Sequence, residues 1–272
     1  MTLIASWVAM DDNKEGKLPS SIYLASDSRI TYLDSNGHPM GNEDDKQKIF
    51  ISLKRPEMFA ICGDYCNCVR IIKSLIQIID SDDGEGWTFD AVEEKIQYLT
   101  EYFNKYVHKL KCKSSILYGT KIGLELFLFR FIFENNSVSV SPVPLGKLSQ
   151  VVSRDGSGEE DFDNSWLNFN ENSVAFNEAN TSRGAFRCIY EAIKTSSDVF
   201  VGGKMQAAVI YRGHNAPHPI GIYYDNDCYV FGKKFIAETN SIVEYRNSEF
   251  EIVDPQTGKI AEGAQRQPFA RR

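Results

Sequence analysis

Thr2 follows Met1 directly and opens an apolar, strand-like run, Thr2-Leu3-Ile4-Ala5-Ser6-Trp7-Val8-Ala9. If Met1 is excised, Thr2 carries a hydroxyl and a free α-amine on one residue. An α-amine titrates at about 8, so it can take the hydroxyl proton without help from a histidine. The small side chain at position 2 leaves the Met1–Thr2 bond open, and excision is expected. Taken alone, Thr2 is simply the start of an ordinary strand. The case for chemistry rests on other residues.

Four further motifs carry groups that chemistry at Thr2 would use, and each also has an ordinary explanation. Asp27 and Arg29 lie in Ala25-Ser26-Asp27-Ser28-Arg29 at the end of an apolar run, where a surface ion pair would be unremarkable. Lys48 opens Lys48-Ile49-Phe50, and a lysine before an apolar run is usually solvated. Gly156-Ser157-Gly158 reads equally well as a turn. Asp198 precedes Val201-Gly202-Gly203, a pattern that also stops a helix and leads into a strand.

These residues need elements to hold them. Residues 2–10 and 21–26 read as a strand pair returning near Pro19-Ser20, and 48–53 and 58–62 as a second pair joined by a polar turn. Helical spacing of apolar residues marks 68–79 and 89–110, the latter with Thr88 or Asp90 as its cap. Strand patterns resume at 124–134, turn at Asn135-Asn136 into 137–143, and recur at 148–153. The acidic, Asn-rich segment 159–180 reads as a loop or insertion. A helix follows at 181–194, burying Ala185, Cys188, Ile189, Ala192 and Ile193, then a strand at 205–211 and short β patterns to about residue 252. Helices alternating with hairpin-connected strands predict an α+β fold of four layers, an αββα sandwich of two antiparallel sheets flanked by helices. One domain over 1–253 is expected, with inserted loops near 32–46 and 159–180 and a polar tail over 254–272.

Composition narrows the function classes. The chain has 272 residues, 42% hydrophobic and 25% charged, as ordinary globular proteins do. A net charge of −7 with no dense basic stripe argues against nucleic acid as a partner, and the short basic stretch 266–272 does not outweigh it. The most apolar stretch, 124–133, is interrupted by Glu125 and Arg130, so no membrane span is expected. No secretory leader is apparent before the first strand, and a cytoplasmic protein is expected. Cys66-x-Cys68 has no matching second pair, so no metal or other cofactor is expected and the six cysteines are taken as free thiols. Cys62, within Phe59-Ala60-Ile61-Cys62, reads as a small buried hydrophobe.

In this order the motifs resemble the proteasome β-subunit-type N-terminal nucleophile hydrolases, which include bacterial two-component protease relatives. The match runs from Thr2 to about Tyr211. The resemblance implies Thr2 as nucleophile, Lys48 as the positive charge beside it, Asp27 as the carboxylate holding Lys48, and Arg29 as a brace. It implies that the Gly63 backbone N–H faces the developing oxyanion, and that Ser157 and Asp198 hydrogen-bond around the amine. Three departures stand out. Val201 occupies a position where the family has serine; an enlarged loop over 32–46 makes Lys46 a rival to Lys48; and Ala60 competes with Gly63.

The activity implied is that of a threonine-type amidohydrolase, most simply a proteasome-like peptidase acting on a peptide or other acyl-amide substrate. A non-catalytic scaffold or partner-binding subunit and an amidase for a small acyl substrate are the alternatives. Self-association, as a ring, and a partner protein or ATPase are also implied.

Overall fold

Leu3 leads into a long antiparallel pair, β1 (Ile4–Asn13) and β2 (Gly16–Ser26), which anchors the larger of two main sheets. A computed structural model describes residues 2–13, 16–81, 87–171, 180–224, 227–235 and 242–264. After β2 come a ribbon of β3 (Ile30–Leu33) and β4 (Pro39–Glu43), the pair β5 (Ile49–Ile51) and β6 (Glu57–Cys62), and helices α1 (Tyr65–Ile79) and α2 (Val92–Asn104). Then follow β7 (Ser114–Ile122), β8 (Glu125–Glu134), β9 (Ser137–Pro142), β10 (Gln150–Asp155), α3 (Glu159–Glu171) and α4 (Ser182–Thr195). The last strands are β11 (Gln206–Tyr211), β12 (His218–Tyr224), β13 (Asp227–Val230), β14 (Lys233–Phe235) and β15 (Glu244–Arg246). The chain is thus α+β with mostly antiparallel sheets. No helix of the described residues is long and apolar enough to cross a membrane.

One sheet runs β10-β1-β2-β11-β12-β13-β14, with β15 added parallel to β12. The other runs β5-β6-β7-β8-β9. Because successive strand residues point to opposite faces, each central strand feeds two cores. Ile4, Ile22, Leu24, Ala208 and Ile210 of the larger sheet pack with Met58, Ala60, Leu117 and Leu128 of the smaller one. On the other face of the larger sheet, Leu3, Ala5, Trp7, Tyr23 and Val209 pack with Phe162 of α3 and with Ala185, Phe186, Ile189 and Ile193 of α4. Phe59, Ile61, Tyr118, Phe131 and Phe133, on the other face of the smaller sheet, pack with Ile72 and Leu75 of α1 and with Leu99 and Phe103 of α2.

Several local expectations are met. Asn135 and Asn136 both take positive φ, 52° and 56°, which matches the right-handed twist of the β8–β9 hairpin. Helix α4 is capped by Thr181, whose side chain accepts from the Gly184 N–H, and all five residues expected on its buried face are buried. Others are corrected. The strand pair does not return at Pro19: β2 extends through it, opposite Met10 at a register shift, where β11 no longer pairs with β2. A proline is tolerated at such an edge position. Helix α2 starts at Val92 behind Ala91, not behind Thr88 or Asp90, with Glu93 and Glu94 in its first turn favoured by the helix dipole. It ends at Asn104, and residues Val107–Lys109 form a separate 3-10 turn.

Segment 159–180 is not simply a loop. Its first part is α3, whose acidic first turn (Glu159, Glu160, Asp161) suits a helix N-terminus and whose Phe162 and Trp166 stack one helical turn apart. The rest of that expectation, 172–179, lies outside the described residues, as do Met1 and the basic stretch 266–272. Strand β7, which the sequence patterns do not single out, is buried along nearly its whole length and lacks an alternating signature for that reason. The enlarged 32–46 loop is largely taken up by the β3–β4 ribbon, which begins at Ile30. Residues 254–264, assigned above to the tail, fold back: Ala261 N–H donates to Ile252 O at 3.0 Å and Asp254 N–H to Lys259 O at 2.7 Å.

Candidate active site

Register places Thr2 beside Asp27. Ile4 pairs with Ser26, so the next residues out, Leu3 and Asp27, also face each other: Asp27 N–H donates to Leu3 O at 3.2 Å, and Leu3 N–H donates to Asp27 Oδ1 at 3.1 Å. Thr2 Oγ1 donates to the same Oδ1. Lys48, just ahead of β5 on the other sheet, reaches across; its Nζ lies 2.8 Å from Asp27 Oδ1 and donates to Thr2 Oγ1. The second oxygen, Asp27 Oδ2, receives the Arg29 N–H at 3.0 Å and the Gly202 N–H at 3.1 Å. Thr2, Asp27 and Lys48 are all buried. A hydroxyl held between an ammonium and a carboxylate is oriented, and the ammonium is placed to stabilise the alkoxide it becomes on losing its proton.

Gln206 joins the two sheets at this point. Its Oε1 receives the Lys48 N–H at 2.9 Å and the Ile49 N–H at 3.2 Å, while its Nε2 donates to Asp27 O at 3.0 Å and Lys46 O at 2.7 Å. One fully buried amide thereby satisfies both strand ends that carry Asp27 and Lys48. Sequence reasoning passes it over; its only signal is a polar residue at the head of the apolar run Ala207-Ala208-Val209-Ile210.

The guanidinium of Arg29 points away from the hydroxyl. It clasps Asp44 through two bonds of 2.7 and 2.9 Å and donates to Val201 O at 3.2 Å. Hydrogen bonding from Arg29 holds the Asp44 carboxyl below its ordinary range, and the same bond raises Arg29. The clasp fastens the β3–β4 ribbon to the loop before β11. Lys46, the rival lysine, pairs instead with Glu43 and with Asp45, the latter at 3.3 Å.

Glycines close the near side. At Gly156, φ is +108° and an added Cβ would lie 2.0 Å from Thr2 O. At Gly158 it would lie 2.9 Å from both Leu3 Cβ and Val201 Cγ2, and the Gly158 N–H donates to Thr2 O at 3.3 Å. Ser157 therefore stands next to Thr2 in a turn that only glycines can make so tight. Gly63 follows β6 with φ +106°, pressed against Lys113 and Ser114. Ala60, its rival, lies inside β6 opposite both Ile49 and Leu117.

No hydrogen bond joins Gly63, Ser157 or Asp198 to Thr2 among the described residues. Ser157 Oγ and Asp198 Oδ2 are buried and lack a hydrogen-bond partner there. The other Asp198 oxygen receives the Phe200 N–H at 2.9 Å. Val201 is buried in the helix-side core, its Cγ2 methyl facing Gly158. Cys62 lies against Gly156, and burial, with Asp155 adding to it, pushes its thiol up to about 12. At neutral pH it is a packing group rather than a nucleophile. Among the described residues no cluster of three or more His, Cys, Asp or Glu side chains is arranged to hold a metal ion.

Among solved structures, Anbu (ancestral beta-subunit) from Yersinia bercovieri matches with a TM-score of 0.50 over 76% of this chain and 81% of that one, at 12% identity. The fold is proteasome-like. No family model matches the sequence, and no curated protein does. At 12% identity the likeness carries the backbone arrangement and not the activity.

Proposed function

We propose that this proteasome-like chain is an αββα N-terminal nucleophile amidohydrolase that acts through Thr2, most simply as a peptidase. The single observation behind this reading is the contact of Lys48 Nζ and Asp27 Oδ1 with the same Thr2 hydroxyl. The resemblance alone implied that grouping, and three strand ends from two sheets supply it.

The reading requires Met1 to leave, because only then does Thr2 carry a free α-amine. Thr2 Oγ then attacks the carbonyl carbon of an amide while the freed α-amine takes its proton. Lys48 favours the developing alkoxide, and the Gly63 N–H is assigned to the oxyanion of the tetrahedral intermediate, an interaction worth about 3 kcal/mol in related chemistry. Collapse breaks the C–N bond, the proton passes from the amine to the leaving nitrogen, and an ester to Thr2 remains. Water, deprotonated by the same amine, hydrolyses the ester and restores the hydroxyl. Ser157 Oγ and Asp198 Oδ2, buried without partners, are assigned as the groups that bind and tune the amine.

A second reading, a non-catalytic scaffold, draws on Val201. A methyl faces Gly158 where the resembled family has a hydroxyl, which removes one hydrogen-bonding group from the neighbourhood of the amine.

Intact mass after treatment with a peptide epoxyketone tests the choice. Loss of Met1 with a single adduct, absent in Thr2→Ala, supports catalysis. Retained Met1, or an adduct that survives Thr2→Ala, overturns it.

A further inference from the structure

Helix α3 begins immediately after the Gly156-Ser157-Gly158 turn, with the Phe162 N–H donating to Gly158 O at 3.0 Å. Its first turn carries Asp161, whose carboxylate reaches the segment that follows α4. Ser196 Oγ donates to Asp161 Oδ2; the Asp198 N–H approaches the same oxygen at 3.4 Å and Ser196 Oγ at 3.2 Å; Ser197 Oγ approaches Oδ1 at 3.5 Å. One carboxylate therefore gathers three consecutive residues ending at Asp198, with the Ser196 hydroxyl as the closest link.

Beyond Asp198 the contacts run on to the candidate site. Val201 N–H donates to Asp198 O at 3.0 Å, and the next amide, Gly202 N–H, donates to Asp27 Oδ2 at 3.1 Å. On the other side, Gly158 packs against Val201 and its N–H donates to Thr2 O. Ser157 and Asp198 are distant in sequence, and Asp161 is the side chain that ties the helix growing from the first to the loop holding the second.

We propose that Asp161 is a positioning residue for the Thr2 nucleophile. It touches neither Thr2 nor a substrate; it fixes the Asp198 segment against the Ser157 turn, which keeps both groups where the functional reading assigns them to the amine. This rests on the functional reading above. With the clamp gone, Asp198 moves away from the amine. A carboxylate beside an ammonium favours the protonated form, so its departure lowers the pH at which the free amine becomes available.

The test follows the rate of epoxyketone adduct formation against pH in wild type, Asp161→Ala and Asp161→Asn, together with hydrogen exchange at the Val201 and Gly202 amides. In Asp161→Ala the rate is expected to fall about tenfold or more, as for a misplaced catalytic group, and the pH midpoint to move down. The two amides exchange faster. Asp161→Asn keeps an oxygen acceptor for Ser196 and is expected to restore the midpoint and most of the rate. A merely structural role would lower the rate equally at every pH and leave the midpoint in place. An unmoved midpoint overturns the proposal, whether or not exchange at the two amides changes. If wild type forms no adduct, the functional reading fails instead and takes the catalytic purpose of Asp161 with it; exchange still decides whether Asp161 holds the loop.

Discussion

Lys48 Nζ stands 2.8 Å from Asp27 Oδ1 with the two side chains 4% and 0% exposed, so the pair that orients Thr2 is also a buried ion pair. Truncating one partner leaves the other charge without compensation inside the protein. Lys48→Ala is expected to cost about 3–5 kcal/mol, moderated by the three backbone N–H groups on Asp27. Thr2→Ala removes the two hydrogen bonds of its hydroxyl but leaves the ion pair matched, and is expected to cost about 2 kcal/mol. Both variants lose the epoxyketone adduct, and urea unfolding separates them. Lys46→Ala, which breaks only surface pairs, is expected to change neither readout. Equal stability losses for Lys48→Ala and Lys46→Ala would contradict the burial of the pair.

Gly156→Ala is expected to abolish the adduct and to lower the thermal midpoint. Its Cβ would sit 2.0 Å from Thr2 O, and its φ of +108° disfavours any L side chain. Gly123→Ala isolates the backbone term, since φ there is +57° and nothing lies within 4 Å of the added methyl. That control is expected to cost only the left-handed strain of about 1–2 kcal/mol and to keep the adduct. A Gly156→Ala protein that labels at the wild-type rate would refute the close approach at Thr2.

The thiols divide by burial. Cys66 and Cys112 are exposed, whereas burial pushes Cys62, Cys68, Cys188 and Cys228 up to about 12. Titration of the folded protein with a chromogenic disulfide at about pH 8 is therefore expected to report Cys66 and Cys112 quickly and the other four only on unfolding. Rapid labelling of a Cys66→Ser, Cys112→Ser variant would show that a buried thiol is reachable.

Burial also raises the phenols of Tyr23, Tyr118, Tyr211 and Tyr224 above their ordinary value. Each keeps its proton in the folded state at a pH where the unfolded chain releases it. The stability linked to them is complete below about pH 10 and declines as pH rises past that point. Alkaline unfolding is expected to coincide with a late, cooperative step in the ultraviolet phenolate signal. A smooth titration of every tyrosine near about pH 10 in the folded protein would contradict this.

Much of the backbone plan was legible because its signals are local. Apolar spacing in α1 and α4, the Asn135-Asn136 turn and the runs that become β1, β6, β8 and β11 depend on neighbours within a few residues. Strand β7 escaped because a strand buried on both faces lacks alternation, and the first half of 159–180 escaped because an acidic, Asn-rich stretch looks like a loop until Phe162 and Trp166 find a core. The resemblance favoured Lys48 over Lys46, but both precede the same apolar run, and the contact with Thr2 is made by Lys48 alone of the two among the described residues.

The resemblance carried by the motifs in their order nominated Thr2, Asp27, Arg29, Lys48, Gly63, Ser157 and Asp198, and motif order along a chain is a one-dimensional property. The β1–β2 register brought Thr2 to Asp27; the packing of one sheet on the other brought Lys48 to both and left Lys46 at the surface; Gln206 and Asp161 acquired their partners only across 158 and 35 residues of intervening fold. Those contacts join residues far apart in sequence, so they form only when register and layer packing form, and no local pattern encodes them.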